Sequence, residues 1–184
     1  MKSVIGKVSL AIGIPTVVFA VFALLMMDLT GRNQFPQTDD PASMPLNSRI
    51  TGYDTVDVSE YWHWLGTDGR ATEKRFLQAD LVFPILYGAG LLAGLLLASA
   101  DGNRRLGKGW LIAPVFITVL ADWTENLVQL NQFSRYTKNI SLQTIWIQIA
   151  SFATSIKLFF FIGSAILILV LCGRLLRKHN QKEK

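Results

Sequence analysis

Four ionisable side chains stand inside stretches that are otherwise apolar: Asp80, Asp122, Glu125 and Lys157. Asp122, Glu125, Asn126 and Gln129 fall at i, i+3, i+4 and i+7, which places them on one face of one helix. Two carboxylates on adjacent turns opposite a lysine can move a proton as acid and base, or hold a cation or a cationic ligand. They can also do no chemistry and fix helix register as a buried ion network. A charge at the centre of a membrane span costs about 2.5–3.5 kcal/mol on insertion scales, so such residues face a bundle interior or a wet cavity. The charge count is uneven, with three acids against one lysine. Either an acid keeps its proton, or a cation or cationic ligand completes the balance. Arg70, Lys74 or Arg75 could neutralise Asp80 by reaching in from the boundary.

Helix rise puts the charges at one depth. Lys157 lies eleven residues beyond Trp146, roughly 16 Å, and Asp122 twelve residues beyond Trp110, roughly 18 Å from the opposite surface. Pro84 removes the hydrogen bond to the carbonyl of Asp80, and Tyr87 shares a face with Asp80. An opened helix is tolerated at depth where it lines a cavity. The expectation is a polar cleft open to the outside and closed near Lys157. Asp80, Tyr87, Asp122, Glu125, Asn126, Gln129 and Lys157 would line it, with Arg70 and Trp62 at the outer rim.

The elements that must carry these residues are legible in the blocking of apolar sequence. Of 184 residues, 51% are hydrophobic and 17% charged, against about a quarter charged in a soluble domain. Residues 8–27 and 81–100 carry no charge; residues 109–134 carry only Asp122 and Glu125, and residues 139–173 only Lys157. A span needs roughly 20 apolar residues. The chain therefore reads as one all-α membrane domain, a four-helix bundle with spans at about 8–27, 76–98, 109–132 and 143–172 and an outer loop at 28–75. The first segment is too long for a signal peptide and lacks a small-residue cleavage site, so it is expected to stay as an anchor.

Lys2, Lys7, Arg104, Arg105, Lys108, Arg174, Arg177, Lys178, Lys182 and Lys184 fall on one side of the predicted spans, which makes that side cytoplasmic and puts both termini there. The net charge of +5 is thus topology and contact with anionic headgroups, and no nucleic-acid partner is expected. Within the outer loop, Thr30 to Ser48 holds Pro36, Pro41 and Pro45 and should be irregular. Asp57 with Glu60 has capping-box spacing. Val58, Tyr61, Trp62 and Leu65 then give one apolar face, with Gly66 as a stop. This short helix either lies in the headgroup layer or packs over the bundle mouth as a lid. Gly90 and Gly94 form a small-xxx-small face for close helix packing.

Cys172 is the single cysteine, which excludes a disulfide framework and paired-thiol redox chemistry. His63 and His179 are far apart in the chain, so neither metal nor cofactor is expected.

Gly69-Arg70 ahead of Asp80, Phe83-Pro84 and Tyr87, then Asp122 with Glu125-Asn126, then Lys157, resemble the pattern of a group of small, uncharacterised bacterial four-span membrane proteins. The resemblance covers about residues 53 to 173 and implies fold and a bacterial inner-membrane location, not an activity. A looser similarity links the bundle to the sterol-isomerase and sigma-2-receptor type, where acids in an apolar cavity bind cationic amphiphiles. Three functions follow as expectations. The first is a non-enzymatic protein whose outward cleft binds an amphiphile or small solute, as a transport or accessory subunit. The second is a membrane-embedded acid/base enzyme acting on a lipid-like substrate through Asp122 or Glu125. The third is a structural assembly subunit. The partners that fit are membrane lipid, a small amphiphile or cation, and copies of the chain or a larger membrane complex.

Overall fold

The computed structural model describes residues 2–34, 39–99 and 109–182. Every regular element among them is helical: α1 (Lys2–Thr30), α2 (Thr55–Trp64), α3 (Gly66–Ala79), α4 (Phe83–Ala98), α5 (Gly109–Thr137) and α6 (Thr144–Lys182), with three single 3-10 turns between α1 and α2. By length and composition α1, α5 and α6 can cross a membrane; α3 and α4, bent by 42° at their break, make a fourth crossing if taken as one. The segment 101–108, with Arg104, Arg105 and Lys108, lies outside the described residues, as do Pro36, Glu183 and Lys184.

The distribution of side chains is compatible with a membrane protein. Asp80, Asp122, Glu125, Asn126 and Gln129 are at most 4% exposed, while Leu24, Leu29 and Phe159 are more than 70% exposed. Water would drive the reverse arrangement. α1 packs along α4 and α5 along α6, and α4 bridges the two pairs. Gly94 makes the first pairing possible: a Cβ there would lie 2.7 Å from the backbone oxygen of Ala11 on α1.

The second span departs from the expected single helix over 76–98. α3 stops at Ala79 and α4 restarts at Phe83, with Pro84 in its first turn. A first-turn N–H has no intrahelical partner, so proline is accommodated there, whereas mid-helix it would clash with the preceding turn.

Residues 39–65 cap one end of the bundle. The expected irregular stretch is ordered into 3-10 turns at Arg32–Gln34, Pro41–Ser43 and Leu46–Ser48, and Leu46 is fully buried. The capping box sits one turn earlier than expected. Asp54 accepts from the N–H groups of Val56 and Asp57, and the Asp57 side chain accepts from the Asp54 N–H. Asp57 is thus the third helical residue rather than the cap, and Arg49 also holds its carboxylate at 2.7 Å.

Val58, Tyr61, Trp62 and Leu65 are all buried. Trp62 meets the ring of Phe133 edge-on at 5.2 Å and that of Tyr136 at 5.3 Å. The apolar face of α2 is therefore turned onto the bundle as a lid, and is not left over for a headgroup layer. Gly66, at φ 61°, ends α2 and lets α3 start at once, a conformation that costs a side-chain-bearing residue about 1–2 kcal/mol.

Candidate functional site

Helical spacing brings Asp122, Glu125, Asn126 and Gln129 to the buried face of α5, and α6 delivers Lys157 against them. Lys157 Nζ donates to Asp122 Oδ1 at 3.0 Å and to Glu125 Oε2. The remaining carboxylate oxygens take neutral donors. The Tyr87 hydroxyl donates to Asp122 Oδ2 at 2.7 Å, and the Gln129 amide donates to Glu125 Oε1 and to the Tyr53 hydroxyl, both at 3.0 Å. The depth inferred from Trp110 and Trp146 thus corresponds to a direct contact.

The α3–α4 break is stitched to α5. Asn126 Nδ2 donates to the Asp80 carbonyl at 3.0 Å, the carbonyl that Pro84 deprives of its helical partner, and to Asp122 Oδ1 at 3.3 Å. Trp123 Nε1 donates to the Leu81 carbonyl at 2.8 Å. Two freed carbonyls in the bundle are thereby satisfied by side chains of a neighbouring helix. The Asp80 side chain contacts the Asn126 amide.

Three expected placements are corrected. Trp62 is not at a rim, because its ring fills the space between Phe133 and Tyr136. No basic residue pairs with Asp80 among the described residues: Arg70 donates to the Trp62 carbonyl at 3.4 Å and Arg75 to the Thr72 hydroxyl at 3.1 Å. The ion network does not line an open cleft either. The space between Gln129 and the cap residues Tyr53 and Trp62 is about 10 Å³, at most the room of one water. Lid packing closes the route along which the cleft was expected.

A second buried ion network lies at the capped end and carries residues that the sequence did not single out. Arg32 sits 3.5 Å from Glu73, with the Tyr61 hydroxyl donating to Glu73 at 3.0 Å and Arg32 donating to that hydroxyl at 3.3 Å. The guanidinium lies 3.7 Å over the Phe76 ring. Burial pushes the Tyr61 hydroxyl well above its ordinary pKa, and Glu73 adds to this. Burial works against the Arg32 cation, but Glu73 and Tyr61 outweigh it and hold the guanidinium above its usual value.

The open cleft is elsewhere. A hollow of about 930 Å³ lies between α3, the end of α5 and the turn into α6, with Arg70, Lys74 and Lys138 among its lining residues. Leu130, Phe133, Ile140 and Leu142 form its apolar part. Of the expected site residues, only Arg70 belongs to it. A separate apolar groove of about 340 Å³ runs between α1, α4 and α6, with Phe19, Tyr87 and Phe161 in its wall. Among the described residues, no group of three or more His, Cys, Asp or Glu has the arrangement of a metal site.

These features define a class: an all-helical bundle with several apolar helices compatible with a membrane and a polar interior. No family model, curated protein or solved structure matches the chain.

Proposed function

We propose that the chain is a non-enzymatic, multi-pass membrane protein that binds an amphiphile in the cleft between α3, α5 and the 138–142 turn. Both termini lie in the cytoplasm and the cleft opens on the far side, as the distribution of lysine and arginine along the sequence supports. The carrying observation is the cleft itself: about 930 Å³, with basic and hydroxyl groups beside an apolar shoulder, at the end of α5 where a membrane would pass from hydrocarbon to headgroups. Such a surface suits a molecule with a polar head and an apolar tail.

The ion network has a structural role in this reading. Asp122 and Glu125 share one lysine, are closed off from the cleft, and have no adjacent thiol or imidazole to act as nucleophile or relay, so an acid/base enzyme is the weaker alternative. The network instead holds α4, α5 and α6 in register beneath the cleft.

Filling the cleft tests this. Ala71 is exposed and part of the lining, so Ala71→Trp should leave the helical content and melting temperature of the detergent-solubilised chain unchanged. It should abolish the stabilisation that amphiphiles give the wild type in a thermal-shift titration. Equal stabilisation of both proteins, or of neither, would remove the cleft as the binding site.

A further inference from the structure

We propose that the head of the bound amphiphile is a phosphate ester, held by Arg70, Lys74 and Lys138; this rests on the amphiphile reading of the same cleft. The argument is one of unmatched charge. Arg70 and Lys74 lie one turn apart on α3 and so share a face. Lys138 faces the same hollow from the turn after α5, and no Asp or Glu is among the lining residues.

Arg32, Arg49 and Lys157 each have an acid as partner, namely Glu73, Asp57, and Asp122 with Glu125, while Arg75 and Arg135 lie outside the hollow and donate to the Thr72 hydroxyl and the Ser141 carbonyl. Arg70, Lys74 and Lys138 have no carboxylate within ion-pair distance among the described residues. Arg70 is also held in place, with one nitrogen on the Trp62 carbonyl and the guanidinium 5.9 Å from the Tyr136 ring. Its other N–H groups remain for a ligand.

The chemistry of the anion follows from the donor set. Cations approaching from two walls, supplemented by the hydroxyl of Ser134 in the lining, suit a tetrahedral group with three acceptor oxygens. A carboxylate presents two oxygens in one plane. The planar fork of Arg70 matches two phosphate oxygens at once, and the ammonium groups act as point charges on the third. Ile140 and Leu142 in the same lining offer apolar surface to the start of an attached chain.

The test compares chain-matched ligands on the purified full chain in a neutral detergent, read as dissociation constants. The ligands are phosphatidic acid, diacylglycerol, the corresponding fatty acid, and soluble glycerol phosphate. Phosphatidic acid should bind on the order of tenfold or more tighter than diacylglycerol or fatty acid, because hydrogen bonds to a charged group are stronger than those to a neutral one. That preference should shrink with added salt. The variant Arg70→Gln/Lys74→Gln/Lys138→Gln should bind phosphatidic acid no better than diacylglycerol. Single Lys138→Gln should fall between, with unchanged helical content as the folding control.

Equal binding of phosphatidic acid and diacylglycerol by the wild type would overturn the phosphate assignment and leave the amphiphile reading standing. An undiminished preference in the triple variant would also overturn it. Glycerol phosphate binding as tightly as the lipid would keep the phosphate contacts and overturn the amphiphile. Binding of none of the four would sink both.

Discussion

The two buried ion networks use the same side-chain types but differ in balance. At the capped end Arg32 meets one acid, Glu73, with the Tyr61 hydroxyl between them, and also donates to Asn47 Oδ1 at 3.4 Å. In the middle of the bundle Lys157 meets Asp122 and Glu125 together, with Asp80 close by on the Asn126 amide. The neutral donors differ accordingly: Tyr61 suffices at the capped end, whereas Tyr87, Asn126 and Gln129 all contribute around Lys157. Where buried cations are outnumbered, amide and hydroxyl donors supply the missing stabilisation, since an unmet buried acceptor is costly. The surroundings differ too. A small hollow of about 40 Å³ adjoins Arg32 and Glu73, room for a water; the Lys157 network is closed on the side of the lid, while its Tyr87 borders the apolar groove between α1, α4 and α6.

Removing each cation should expose that difference. Lys157→Met leaves two buried carboxylates on adjacent turns of α5 without their cation. It should cost about 3–5 kcal/mol, the range for breaking a buried pair from one side, measured by chemical denaturation in detergent. Adding Asp122→Asn should recover part of the loss, a coupling visible in a double-mutant cycle. Strictly additive losses would mean that the contact at 3.0 Å contributes nothing to stability.

Arg32→Met should cost less, about 1–3 kcal/mol, because one acid is stranded rather than two, Tyr61 still donates to it, and water can enter beside it. A loss as large as that of Lys157→Met would show that the hollow stays dry and that the two sites are equally closed. The smallest effect belongs to Tyr87→Phe, which deletes one of several donors to Asp122 and should cost about 1 kcal/mol. A loss approaching that of Lys157→Met would make the tyrosine, and not the lysine, the principal partner of Asp122.

What was legible in the sequence follows from what is periodic. The apolar runs marked α1, α5 and α6 as long helices but not the break that divides the second run into α3 and α4, and counting helix rise from Trp110 and Trp146 put Asp122 and Lys157 at one depth. The absence of the Asp80 hydrogen bond was legible from Pro84 alone, but its new partner, Asn126, required knowing how α4 meets α5. Arg32, Tyr53 and Glu73 were read as members of a long polar loop, because nothing local records that the chain folds back onto the bundle. The lid position of Trp62 was one of two readings that its helical spacing allowed. The cleft escaped for the same reason: Arg70, Lys74 and Lys138 are 64 to 68 residues apart at the extremes, and only the placement of α3 beside the end of α5 unites them.

The stitched break between α3 and α4 also constrains the order of events during synthesis. The carbonyls of Asp80 and Leu81 depend on Asn126 and Trp123, which are made 46 and 42 residues later. A ribosome delivers the acceptors first and the donors only after the whole of α4 and most of α5 have emerged. Until then the half-built hairpin carries two unsatisfied oxygens that hydrocarbon does not tolerate. In the membrane placement proposed above, that hairpin would be held in a wet or protein-lined setting until α5 arrives with the two donors.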